Sequence, residues 1–268
     1  MTTKEKISRA VVLLGIAAFG MVWYLDPVYS ADENTQTLIQ SVVTRGLGSV
    51  IFLALTVFLG FRVFHKPARG WWMAFFPSLA VAVNNLPLIA LADGSARVDK
   101  TELLPLFLLE CLMIGLFEET AFRGTLFLAI LEKRRSTTKQ IFMTSLVSSA
   151  LFGLVHLANL LEGAGVGSTL LQVGYSFLIG GMCTVVLLKT KNLLLCILLH
   201  AIFDIGGGLL YTVGSGEQWN TPTVVITAVL ALLVTAWMIC LLLRVRPEET
   251  DKFYPVKERA SDEHETER

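Results

Sequence analysis

Charge is scarce in this chain. Of its 268 residues only 16% are Asp, Glu, Lys or Arg, where a soluble domain carries about 25%. The 22 basic and 22 acidic residues cancel, so neither sign forms the excess that draws a protein to nucleic acid. Cysteine is equally sparse. Cys111, Cys183, Cys196 and Cys240 all fall in apolar stretches without metal-type spacing, which excludes a disulfide framework and leaves them as packing residues. There is no HExxH pair, no internal repeat and no composition shift marking a second domain.

What fills the space is hydrocarbon. The chain is 54% hydrophobic with a mean hydropathy of +0.64, and its charges sit in short clusters between long apolar runs. Eight segments read as transmembrane helices, at about 9–26, 47–64, 71–92, 103–131, 140–161, 169–189, 192–212 and 221–243. Each approaches the 17–25 residues needed to cross ~30 Å of hydrocarbon, and the fourth is long enough to tilt or protrude. Helix is the expected element because lipid cannot satisfy an open backbone. The fold class is therefore all-α, a polytopic membrane helical bundle. Pro87, after Asn84 and Asn85, should kink or break the third segment. Residues 1–243 form one transmembrane domain with its core motifs in 103–212, and 244–268 read as a charged, disordered cytoplasmic tail.

Basic residues set the orientation. With the N-terminus cytoplasmic, 18 of the 22 fall on the cytoplasmic side, leaving Arg45, Arg97 and Lys100 opposite and Arg123 within the membrane. The topology is N-in and C-in. The first segment, KEKISR followed by an apolar run to VYSA, could be a signal peptide. Trp23 and Tyr24 near its end favour an uncleaved helix.

Within the fourth segment, residues 115–126 read GLFEETAFRGTL. Charges at a bilayer centre cost ~2.5–3.5 kcal/mol each, so Glu118, Glu119 and Arg123 would together cost roughly 8–10 kcal/mol if unpaired. Glu119 and Arg123, four apart, suit an internal ion pair. That leaves Glu118 as a buried carboxyl and a candidate acid or base. The fifth segment carries His156 in FGLVHLAN, and the seventh carries His200 and Asp204 in LLHAIFDIGG, again one helical turn apart. Counted from the nearest cytoplasmic basic residue at 1.5 Å per residue, Glu118 lies ~22 Å deep, His156 ~25 Å and His200 ~14 Å. Tilt and side-chain length absorb such a spread. Glu110, by contrast, reads as a solvated residue near the far interface.

Two glutamates, two histidines and an aspartate suit water activation at an amide carbonyl. Glu118, helped by His156, would take a proton from water. His200, with Asp204 if protonated, would donate to the developing oxyanion. Arg123 would keep Glu119 ionised and fix the turn that presents Glu118. No serine or cysteine adjoins either histidine, which disfavours a nucleophilic mechanism. Zinc is the chemical rival, since Glu and His are its ligands, but a three-helix site would be needed; the expected cofactor is none.

EETAFR fits EExxxR, FGLVH fits FxxxH and HAIFD fits HxxxN/D, in that order on successive helices. The chain resembles the CPBP family of intramembrane proteases, which includes CAAX prenyl endopeptidases and bacteriocin-processing or Abi proteins. The resemblance covers residues 118–204. It implies a helical-bundle glutamic endopeptidase with a conical cavity, in which Glu118 and His156 activate water, His200 and Asp204 line the oxyanion side, and Glu119 and Arg123 support them. Many members carry Asn where this chain has Asp204. The expected partners are the bilayer and a protein or peptide with a membrane-associated, lipidated or sorting-signal end, and no nucleic acid. The expected location is a cell membrane of the prokaryotic cytoplasmic type. Rival readings are a non-catalytic adaptor or immunity protein of the same fold, a zinc-dependent variant of the protease, and a proton-coupled transporter.

Overall fold

The computed structural model describes residues 30–255; the expected first span, 9–26, lies outside them. Nine α-helices account for most of the described chain. They are α1 (Glu33–Phe58), α2 (Trp72–Asn84), α3 (Leu88–Asp93), α4 (Leu104–Glu119), α5 (Leu128–Lys133), α6 (Thr138–Val155), α7 (Val166–Thr190), α8 (Leu193–Val213) and α9 (Thr221–Leu242). Five spans among the described residues are long and apolar enough to cross a membrane: α1, α6 with its following turn, α7, α8 and α9. The protein is a multi-pass all-α membrane bundle. Its outer faces carry exposed Val50, Val57, Leu171 and Leu232, apolar surface of the kind a membrane bundle turns to lipid.

Two boundaries differ from the sequence reading. The helix expected at 47–64 runs over Glu33–Phe58, begun by Asp32, whose carboxylate accepts from the Thr35 amide at 2.8 Å. Arg45 is therefore a mid-helix residue facing the Phe117 ring, rather than part of an outer loop. The expected tail from residue 244 also begins as packed structure. Pro247–Phe253 forms a 3₁₀ turn that buries Thr250 and Phe253, with Val245 and Tyr254 buried on either side. The Tyr254 hydroxyl donates to the Leu128 carbonyl at 2.9 Å, and Arg135 pairs with Asp251. A turn with four such anchors cannot be a free tail.

The third segment breaks where Pro87 requires. Helix α2 ends at Asn84, and α3 restarts at Leu88 after Asn85, Leu86 and Pro87. The fourth runs helically over 104–133, but its middle, Thr120–Phe127, is a π-helix joining α4 to α5. The Thr120 hydroxyl donates to the Leu116 and Phe117 carbonyls where the hydrogen-bond spacing changes. At Gly124 an added Cβ would lie 3.0 Å from Thr56 Oγ1, so α1 approaches this segment closely. Wide helical turns of this kind recur at functional sites.

A short antiparallel ribbon pairs β1 (Ala96–Val98) with β2 (Gly214–Gly216), Ala96 opposite Gly216 and Val98 opposite Gly214. Gly216 has φ +113°, a backbone conformation that an L side chain resists. The ribbon closes the end of the bundle from which α4 and α9 enter. At the other end a larger apolar core, including Phe127, Leu128, Leu131, Ile141, Val186 and Leu193, holds the helices together.

Candidate active site

Helix packing brings the polar groups of α4 and α8 into contact. Gly115 permits it: a Cβ there would lie 3.0 Å from the Ile197 carbonyl and 3.4 Å from His200 Cβ. One turn further along α4, Glu119 Oε1 lies 2.8 Å from His200 Nδ1. His200 Nε2 faces two more carboxylates, Glu118 Oε2 at 3.5 Å and Asp204 Oδ2 at 3.6 Å. Both ring nitrogens thus point at acidic oxygens, and His200 itself is buried. Glu118 and Asp204 keep 18% and 23% side-chain exposure, whereas Glu119 keeps none. Solvent therefore reaches the carboxyls of Glu118 and Asp204 but not that of Glu119.

Glu119 also carries the ion pair expected from its spacing. Arg123 Nη1 lies 3.1 Å from Glu119 Oε1, with 1% and 0% side-chain exposure. The contact is one of charge proximity: none of the three guanidinium nitrogens makes an aligned hydrogen bond, and Glu119 Oε2 has no such partner either. The guanidinium instead lies over the Phe152 ring, 4.1 Å from its centroid.

Phe152, the first residue of the FxxxH motif, is the centre of this cluster, a packing role that the motif alone did not assign. Its ring meets Phe122 at 4.9 Å, His156 at 5.4 Å and His200 at 5.7 Å, each edge to face. It separates the two histidines and orients both. His156 opens the 3₁₀ turn His156–Leu160, and its Nδ1 donates to the Phe152 carbonyl at 2.9 Å. Because a carbonyl only accepts, Nδ1 carries a proton in this contact, and Nε2 is the ring nitrogen turned away from it. Glu118 and His156 make no direct hydrogen bond or ion pair; the nearest imidazole to Glu118 is that of His200. Gly180 is a second omission. A Cβ there would lie 2.9 Å from Arg123 Nη2 and 3.0 Å from Phe152 Cδ1, so only glycine leaves room for the stacked pair.

Beside the site is a cavity of about 970 Å³, walled by apolar residues of α7 and α9. Asp204, Asn85, Glu110 and Tyr175 are among the polar residues that line it. Glu110, expected to be solvated at the interface, is partly exposed and lines this cavity. Among the described residues no three His, Cys, Asp or Glu side chains are grouped as metal ligands would be. The three buried cysteines, Cys111, Cys183 and Cys196, are free.

Comparison with known proteins agrees with the motifs. Residues 100–206, which hold all six polar residues, match the Rce1-like family, described as type II CAAX prenyl endopeptidase Rce1-like. No curated protein and no solved structure matches the chain. The chain is thus similar over residues 100–206 to a family described as CAAX prenyl endopeptidases, and this stretch lies within a multi-pass bundle.

Proposed function

We propose that the protein is a glutamic-type intramembrane endopeptidase cutting near the membrane-anchored, lipidated or sorting-signal end of a protein substrate. The observation that carries this reading is the packing of Glu118, Glu119 and Asp204 around His200 at the edge of a large apolar cavity. An apolar wall suits a membrane-embedded or lipid-bearing segment, and the carboxylates suit the scissile amide.

In the proposed reaction a water lies between Glu118 and Nε2 of His156. Glu118 takes its proton as the water oxygen bonds to the carbonyl carbon, and the π electrons move to the carbonyl oxygen. His200 donates a hydrogen bond to that oxyanion, and Asp204, protonated, adds a second. Collapse of the adduct breaks the C–N bond, and the proton held by Glu118 passes to the leaving amine. Glu119 and Arg123 position His200 and the helical turn that carries Glu118. No cofactor is required, and a prokaryotic cytoplasmic membrane is the proposed location.

The test is cleavage of a quenched-peptide and membrane-protein library by purified protein. Wild type, Glu118→Gln and His156→Ala are compared, each with and without a strong zinc chelator. The proposal expects cleavage that survives chelation and disappears in both variants. Loss of wild-type cleavage on chelation would move the reading to a zinc peptidase, and equal cleavage by Glu118→Gln would end it.

A further inference from the structure

The Asn84-Asn85 pair stands in an apolar run, and the proposed reaction gives it no role. Two amides at this depth are costly unless hydrogen-bonded, so their partners show what they hold. Asn85 is 7% exposed and caps α2 at the break before Pro87. Its Nδ2 donates to the Phe203 carbonyl at 2.6 Å, and Phe203 immediately precedes Asp204. Its own carbonyl accepts from Gln218 Nε2 at 2.6 Å, in the segment leading into α9. Asn84 Nδ2 donates to Thr227 Oγ1 of α9 at 2.7 Å. Helix α8 comes into backbone contact at the same place, for a Cβ on Gly206 would lie 2.5 Å from the Asn85 carbonyl carbon.

The break in α2 is therefore a joint. One arm holds α9, a wall of the cavity, and the other holds the turn of α8 that carries Asp204. Asp204 Oδ2 is buried and makes no hydrogen bond of its own. Its position is set by the backbone beneath it, and that backbone is tied to Asn85.

We propose that Asn85, tied in turn by Gln218, is a positioning residue for Asp204, holding its carboxyl against His200 at the cavity edge. This rests on the proposed peptidase reading for its kinetic consequence, but the placement of Asp204 can be read without activity. Asn85→Ala removes the donor to Phe203. Gln218→Ala loosens Asn85 from the surface side and serves where Asn85→Ala folds poorly.

The experiment follows two quantities in purified wild type, Asn85→Ala and Gln218→Ala of matched thermal stability. The first is the pH midpoint of the Asp204 carboxyl stretch in the infrared, assigned by its loss in Asp204→Asn. The second is the split between kcat and KM on a cleaved substrate. The inference expects the midpoint to move in both variants, and kcat to fall roughly 10- to 100-fold while KM stays within about twofold. An unmoved midpoint in both overturns it, as does a fall confined to KM. If wild type cleaves nothing, the peptidase reading fails while the infrared midpoint still decides whether Asn85 places Asp204.

Discussion

Replacing Arg123 by methionine isolates the term that makes EETAFR tolerable inside a membrane. The side chain keeps most of its length but loses the charge that faces Glu119 at 3.1 Å with both groups buried. At an effective dielectric near 20, unit charges at that distance attract by about 5 kcal/mol. Desolvation offsets much of this in the intact pair, so the pair's net contribution is small. Removing one partner is different, because Glu119 is left as an uncompensated buried charge with His200 as its remaining neighbour; the cost is about 3–5 kcal/mol. Loss of the stack on Phe152 adds roughly 1–2 kcal/mol more. Glu119→Gln on the same background relieves the stranded charge, so the double variant should be about 2–3 kcal/mol more stable than Arg123→Met alone. Denaturant unfolding in a fixed detergent, run as a double-mutant cycle, measures this. An Arg123→Met loss below about 1 kcal/mol, or strictly additive variants, would refute the buried-pair account.

Gly180→Ala should cost about 1–3 kcal/mol, because its methyl group meets Arg123 and Phe152 at 2.9 and 3.0 Å; thermal unfolding and cleavage rate should fall together. Lys191, at the C-terminal end of α7, predicts a pH effect. Burial holds its amine down to about 7 against 10.5, opposed in part by Glu249 and reinforced by Lys189 and Lys252. The folded state therefore binds fewer protons than the unfolded state between those values. Stability should rise with pH from about 7 toward 10.5, with the full penalty present below 7. Lys191→Met should be more stable than wild type at pH 7 and lack that rise, as measured by unfolding across pH 6–10; a steeper rise in the variant would contradict the burial argument.

The spans and the site were legible to different depths. Apolar run length located α6 to α9 to within a few residues, because hydrocarbon thickness fixes helix length directly. The break at residues 85–87 was legible because proline removes a donor regardless of tertiary context. The start of α1 was not, since Glu33, Gln36, Gln40 and Arg45 mask the run that hydropathy detects. Packing of residues 245–254 rests on Val245, Phe253 and Tyr254 in a charged stretch, too few to show a period. For the site, the i, i+4 spacing gave the Glu119–Arg123 pair, because both members share one helix. Which imidazole faces Glu118 depends on rotations and depths of separate helices, and spacing carries neither. The π-helical turn and the seat that Gly180 leaves for Arg123 are likewise tertiary facts.

The central claim is that Glu118 activates the attacking water. Its most direct test is kcat/KM of purified Glu118→Gln against wild type on one cleaved membrane-anchored peptide, at matched abundance and thermal stability. The account predicts a fall of roughly 10²–10⁴-fold, the range a lost general base commands, with unfolding unchanged. A variant that cleaves within about tenfold of wild type would contradict it.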